Sequence, residues 1–568
     1  MVNSNANDSV LNNPGNLGSF SFNEIIYASS GLDYSVNSNL GEYQVYQSPS
    51  TNFETQRLNL DGIADLGTTF ISGQVSPVGW PFTISDVPIN GHVRVPEGNG
   101  PFPLVLFAHG NHSPLENSTP GYIYLCEHLA SYGIIAATID VNFLNGINGG
   151  ENDARAIVHL EHTKQFLAWN AQIGHPLEGK VDSSKIIIVG HSRGGEAVGH
   201  ASLFNSLTVV QFDPLSAPIP LDGSQGLGPY GFNINAVVAI APTDGQYIPV
   251  SGPTKVVDNF FLIHGSRDND VWPFPGYKTY DRSHGVDLAN PSQLANGFKS
   301  LLWIHGGNHN FFNSIWQQES VNTISRTQQE QIARVYLSAL SLAIFTDQPA
   351  YLELLKNHGF GVDLGWLPDD INYVSQFQDP NRLFIQHFEE SGNDIVISNP
   401  VEGSVETTSV NANKIPLQGS ALAQFFQDTQ GLRFEWNNNA ARYSVDLETD
   451  TLNLDDYSFI SFRIGQSSER NNPSEEEQDF KVEIRDNLNN IVTFSASSIN
   501  QLLYPDFLGD PNNLNGRMIR RIVMQSFRIS FADLESRGID ISKIKNISLL
   551  FDIVNTGTLY FDDLQLTN

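Results

Sequence analysis

Between about residue 80 and residue 310, short apolar runs alternate with stretches in which apolar residues recur every three or four positions. The runs are "GHVRV" (91–95), "PLVLFAHG" (103–110), "GIIAATIDV" (133–141), "KIIIVGH" (185–191), "NAVVAIAP" (235–242), "NFFLIHG" (259–265) and "LLWIHGG" (301–307). Unbroken apolar runs of this length fit strands buried on both faces, and "DARAIVHLEHTKQFLAWN" (153–170) fits an amphipathic helix. Their alternation predicts a parallel sheet with helices on both faces, whose ligands bind beyond the carboxyl ends of the strands. Two further helical patterns, "TQQEQIARVYLSALSLAIF" (327–345) and "PAYLELLKNHG" (349–359), close the region.

After these helices the texture changes. "LPDDINYVSQFQDPN" (367–381) reads as a linker. Beyond it, strict alternation takes over: in "DFKVEIRDN" (479–487), Phe480, Val482 and Ile484 alternate with Lys481, Glu483 and Arg485, one dry face and one wet. "YSFISFRIG", "ISLLFDIV" and "TLYFDDLQLT" repeat it. The expected organisation is an Asn/Ser/Gly-rich N-terminal segment (1–75), an α/β domain (76–366), the linker (367–381) and an antiparallel, jelly-roll-like β-sandwich (382–568).

Length and charge narrow the class. A chain of 568 residues calls for two or three domains. With 61 acidic against 30 basic residues, the net charge of −31 disfavours nucleic acid, and no basic cluster interleaved with aromatics offsets it. No apolar run is long enough to span a membrane. The polar start, "MVNSNANDSVLNNPGNLGS", lacks the pattern of a secretory signal; the expectation is a secreted or periplasmic protein written without its signal, with a cytoplasmic one as the alternative. One cysteine, Cys126, leaves no intrachain disulfide framework, and its place in "YIYLCEHLASYG" reads as packing.

The chemistry enters at "IIIVGHSRGGEAVG" (186–199), where a buried strand runs into a serine flanked by glycine two residues on either side. A hydroxyl attacks a carbonyl well when it is exposed, deprotonated by a neighbour and faced by hydrogen-bond donors. A sharp strand-to-helix turn supplies that geometry, so "GHSRG" (190–194) fits a nucleophile elbow with Ser192 at its tip. Around it the chain resembles the α/β-hydrolase superfamily, in particular its dienelactone-hydrolase, platelet-activating-factor-acetylhydrolase and cutinase-like branches. The resemblance spans roughly residues 80–360 and includes "PFPLVLFAHGNH", similar to the family's oxyanion strand, and "LASYGIIAATIDV", similar to its next helix and strand.

That resemblance implies a serine esterase with the order Ser, acid, His. In "FLIHGSRDNDVWP" (261–273), Asp268 matches the family's strand-G-x-x-D spacing, with Asp270 and then Asp244 as alternatives. In "LLWIHGGNHNFF" (301–312), His309 matches the G-x-x-H pattern, whereas His305 still belongs to the strand. The backbone N–H groups of Arg193 and Asn111 are the expected oxyanion donors, the Arg193 side chain being more suited to an ion pair with Glu196 or Glu151. Such chemistry requires no cofactor. Two other readings stay open: a metal hydrolase built on His109, His112, His305 and His309, and a non-catalytic binding protein on the same scaffold.

Substrate signals are thinner. Trp272, Phe274, Phe311, Phe312 and Trp316 could line an acyl or aryl pocket or belong to the core, with Trp272, Phe311 and Phe312 the expected substrate contacts. The Pro/Gly-rich stretch 202–232 is a candidate lid. The C-terminal part is similar to carbohydrate-binding modules, which suggests carbohydrate contact and polymeric targets such as polysaccharide-linked esters or polyesters. Asp562 and Asp563 read as a solvated turn or a structural calcium site.

Overall fold

The computed structural model describes residues 11–28, 34–38, 41–46, 55, 58–60, 85–112, 116–145, 152–211, 214–215, 217–256, 258–283, 297–417, 427–448, 454–508 and 519–568. The chain forms two compact units. One holds residues 1–279, 307–355 and 360–370; the other holds 280–306, 356–359 and 371–568.

The first unit is built on strands β1 (Phe22–Tyr27), β2 (Gly91–Pro96), β3 (Phe102–Ala108), β4 (Ile135–Ile139), β5 (Val181–His191), β6 (Ile234–Ile240) and β7 (Asn259–Gly265). Their order is β1-β2-β4-β3-β5-β6-β7, antiparallel from β1 to β4 and parallel from β4 to β7. The apolar runs form strands because both faces are covered: every residue of β4 and the last six of β5 are buried. Helix α1 (Ile123–Ala130) carries the chain from β3 to β4, and α2 (Asn152–Ala171) carries it back past β3 to β5. Right-handed crossovers in opposite directions put these helices on opposite faces. Accordingly α2 packs on α3 (Arg193–Phe204), and α1 packs on α4 (Arg326–Phe345), which opens with a Ser325/Gln328 capping box. The winding reverses between β3 and β5, and a crevice beyond their carboxyl ends follows.

β1 falls inside the segment read as Asn/Ser/Gly-rich. It joins the sheet because Tyr27 is fully buried, its ring packed on Phe166 and Trp169 of α2 and its hydroxyl 2.9 Å from His162 Nδ1. Cys126 is buried on α1. No helix among the described residues is long and apolar enough to cross a membrane.

The second unit is β-rich. Strand β8 (Lys299–Ile304) pairs antiparallel with β9 (Tyr373–Gln378), so the stretch expected to be a linker contains a fully buried strand. Its polar residues are satisfied inside: Ser375 N–H donates to Gln525 Oε1 at 2.9 Å, and Gln378 Nε2 donates to Asp563 Oδ2 at 2.7 Å. Two larger antiparallel sheets follow, and Phe434, Phe462 and Phe561 of one share a hydrophobic core with Val445, Ile484 and Ile547 of the other. Asp562 and Asp563 lie in neither a turn nor a solvated site but within the strand Gly557–Thr567. There the buried Arg463 guanidinium meets them at 2.5 and 2.8 Å and also contacts Asp281 at 2.7 Å. A cation is already in place, supplied by the chain itself.

Candidate active site

Ser192 sits where β5 ends and α3 begins, with φ 59° and ψ −124°, a conformation costing a non-glycine residue about 1–3 kcal/mol. The surrounding backbone enforces it. Ser192 N–H donates to Ile240 O at 2.8 Å, and the Ser192 carbonyl accepts from the N–H groups of Gly195 (2.9 Å), Glu196 (3.2 Å) and Thr243 (3.3 Å). A Cβ on Gly194 would lie 2.6 Å from Ala108 O and 2.7 Å from His109 O, so glycine lets the start of α3 reach the end of β3. A Cβ on Gly110 would lie 2.3 Å from Ser192 Cβ, which fixes how tightly the turn before Asn111 abuts the serine.

Arg155 of α2 steadies that turn. Fully buried, it donates to His109 O at 3.1 Å, Leu144 O at 3.2 Å and Asn145 Oδ1 at 2.8 Å. His109 itself is a structural imidazole: Nε2 accepts from Val141 N–H at 3.2 Å, and burial, helped by the Arg155 charge, pushes its pKa down to about 3.

The loop after β7 and the loop after β8 meet through one carboxylate. His309 Nδ1–H donates to Asp268 Oδ2 at 2.6 Å, and His264 Nε2 lies 3.0 Å from the same oxygen. Asp268 Oδ1 accepts from the N–H groups of Asp270 (3.0 Å) and Val271 (2.6 Å). Burial opposes the ionised form of Asp268, but the His309 and His264 charges and these bonds outweigh it and hold the carboxyl far below its usual range. Burial likewise works against charge on His309, yet Asp268 first, then Asp270 and Glu319, raise its pKa to about 9.

Asp270 takes a different place from Asp268. Its half-exposed carboxylate reaches the other ring nitrogen, Oδ2 to His309 Nε2 at 3.5 Å, and that nitrogen is buried without a hydrogen-bond partner. Asp244 accepts from Thr279 Oγ1 at 3.0 Å. Behind His309 stand His191 (ring centroids 4.7 Å apart) and Trp316 (6.4 Å, parallel). The Tyr122 hydroxyl pairs with His191 Nδ1 at 2.8 Å, and burial first, then the His309 charge, keep His191 neutral.

Two residues that no sequence pattern singled out clamp the His309 loop. Glu319 accepts from the N–H groups of His309 (2.7 Å) and Asn310 (3.2 Å). Gln329 of α4, fully buried, accepts from Asn308 N–H at 2.8 Å and donates to Asn308 O at 2.6 Å. His264 was legible in principle, since "HGSRD" puts it four residues before Asp268 at the strand end.

A cleft of about 240 Å³ opens over Ser192, lined by Asn111, Arg193, Asp270 and Trp272 among others. Residues 70–243 match the family model described as chlorophyllase. That family belongs to the α/β-hydrolase superfamily, so the matched region carries an α/β-hydrolase fold, and at the family level the match points to an ester hydrolase. The chlorophyllase-like region contains Asn111, Ser192 and Arg193 and ends at Thr243, before Asp268 and His309. Comparison with curated proteins returns no match.

Of the expected substrate contacts, Trp272 lines the cleft, whereas Phe311 and Phe312 are buried elsewhere. Phe311 lies under the Arg326 guanidinium, and Phe312 meets His191 edge-on. Phe274 and Trp316 are buried too. None of the described residues of the stretch 202–232 lines the cleft; Glu161 of α2 anchors it through Gly228 N–H (2.9 Å) and the Tyr230 hydroxyl (2.8 Å). Glu196 holds Thr243 and Tyr247 rather than Arg193, and Glu151 lies outside the described residues. His305 follows β8, its N–H bonded to Asn372 O, and His112 stacks on Trp316 beside Glu116. Among the described residues, no three His, Cys, Asp or Glu side chains are disposed around a common metal position.

Proposed function

We propose that the chain is a serine esterase that cleaves carboxylic esters through an acyl-enzyme, with Ser192 as nucleophile, His309 as base and Asp268 as the acid that orients it. The observation that carries this reading is the pair Asp268–His309, whose Nε2 makes no hydrogen bond and lies 3.5 Å from Asp270, a residue lining the same cleft as a strained serine at a helix N-terminus. Nε2 of the neutral imidazole takes the Ser192 proton while Oγ bonds to the ester carbon. The carbonyl electron pair moves onto oxygen, where the N–H groups of Arg193 and Asn111 receive it. Collapse of the tetrahedral centre breaks the carbon–alcohol bond, and the alcohol leaves with the proton from Nε2. Water then repeats the sequence against the acyl–Oγ bond. The carboxylate of Asp268 keeps the Nδ1 proton in place and balances the imidazolium. Polymeric esters, with the β-rich unit as a carbohydrate anchor, are a further part of the proposal, drawn from resemblance alone.

The test is Ser192→Ala assayed on p-nitrophenyl acetate, with a fluorophosphonate probe mapped by peptide mass. Hydrolysis should fall to background and labelling of the wild type should locate at Ser192. Turnover that persists in Ser192→Ala, or that disappears on chelation while the serine stays unlabelled, rejects the mechanism.

A further inference from the structure

We infer that the cleft selects short-chain acyl esters of a polyhydroxylated alcohol, a sugar or polyol, and disfavours long alkyl esters. This rests on the esterase reading and names the substrate class of the same site. The walls carry the inference: beside the serine stand Arg193, Thr243, Asp244, Gln246 and Asp270, the apolar share is limited to Val271, Pro273, Pro275 and Trp272, and among the described residues Trp272 is the one aromatic ring on the lining. The cleft has a volume of about 240 Å³, on the scale of one sugar-sized group or a short acyl chain.

The backbone that presents these groups is held in place before substrate arrives. Thr243 Oγ1–H donates to Glu196 Oε2 at 2.7 Å and Tyr247 N–H to Glu196 Oε1 at 3.1 Å, so one buried carboxylate pins both ends of the segment that presents Asp244 and Gln246. Thr279 fixes Asp244 itself at 3.0 Å. Across the cleft, Asp268 fixes Asp270 and Val271 by their N–H groups, and these lead directly to Trp272. A long alkyl chain laid here would strip water from two carboxylates and a guanidinium and return no hydrogen bonds, a large penalty. Hydroxyl groups would donate to Asp244 and Asp270 and accept from Gln246 and Arg193, while the Trp272 ring covers the C–H face of a sugar ring. Carboxylates on the cleft also repel anionic substrates, in line with the −31 charge of the chain.

The experiment keeps the acyl group constant. The full chain is assayed on a methyl glucoside monoacetate and on hexyl acetate, with p-nitrophenyl acetate as the control for chemistry. The glucoside acetate should exceed hexyl acetate at least tenfold in kcat/KM. Trp272→Ala and Asp244→Asn should each lower that ratio about tenfold, and Trp272→Phe should restore most of it. If Asp244→Asn fails to fold, Gln246→Ala reads the same wall. A wild type that prefers hexyl acetate, or a ratio unmoved by these variants, overturns the inference. Loss of serine dependence on p-nitrophenyl acetate would instead overturn the esterase reading, so the two failures are distinguishable.

Discussion

Asp270 stands on the wrong side of His309 to orient it, and its effect on the base can be worked from the structure. Its Oδ2 lies 3.5 Å from Nε2, the nitrogen that accepts the serine proton in the proposed mechanism, and the side chain is 59% exposed. Because water screens it, the appropriate dielectric is close to that of solvent, and two unit charges at 3.5 Å then interact by about 1.2 kcal/mol. That favours the imidazolium by about 0.9 pH unit. His309 holds its proton up to about pH 9 in the free protein, so kcat/KM should climb with pH toward that value, since only the neutral ring can serve as base.

Asp270→Asn removes the stabilisation of the charged form and should lower the ascending limb from about 9 to about 8. At pH 7 the neutral fraction, and with it kcat/KM, should rise about eightfold. The assay is p-nitrophenyl acetate hydrolysis from pH 6 to 10 at low salt and again at 1 M salt. At 1 M the Debye length is about 3 Å, and the difference between wild type and variant should shrink. A limb that stays put or moves upward refutes the reasoning. So does a loss of activity of about 10³-fold or more, which would make Asp270 the orienting acid and Asp268 its support.

Two further substitutions probe the frame around the chemistry. Gly194→Ala forces a methyl to within 2.6 Å of Ala108 O and 2.7 Å of His109 O, so α3 must back away from β3; kcat should fall about 10²-fold as the proposed oxyanion donors separate, with a loss of about 1–3 kcal/mol in chemical denaturation. Equal kcat with a lowered midpoint would show that the donors do not depend on this approach. In the β-rich unit, Arg463→Met leaves Asp281, Asp562 and Asp563 buried without their cation. It should cost about 3–5 kcal/mol by calorimetry, and an unchanged melting temperature would refute the account of that cluster.

What the residue pattern could say about this fold followed from where water is excluded. The strands around Ser192 are apolar on both faces, and their limits were legible to within a few residues. β9 was not: Ser375, Gln376 and Gln378 are buried, but their identities carry the mark of a loop, and their partners Gln525, Met524 O and Asp563 lie some 150 residues or more further along the chain. β1 was hidden for a related reason, since Tyr27 earns its burial from Phe166 and Trp169. A truncation near residue 375, the natural place to remove a β-sandwich from a hydrolase, would cut through a strand paired with β8.

The candidate site divides along the same line. Ser192, Arg193 and Asn111 are placed by backbone, through one turn and the close approach of β3, β5 and α3, and a five-residue spacing records that arrangement almost completely. The family match spans this half and stops at Thr243. Asp268 and His309 are placed by side chains: His264 at the strand end, Glu319 and Gln329 under the histidine loop. Local spacing records His264, four residues before Asp268, but nothing of Glu319 or Gln329, and the neighbouring carboxylates Asp268 and Asp270 differ only in space, one on Nδ1 at 2.6 Å and the other on Nε2 at 3.5 Å. It follows that substitutions at Glu319 or Gln329 should alter the orientation of His309 without touching Ser192, and that the two halves of the candidate site can diverge independently.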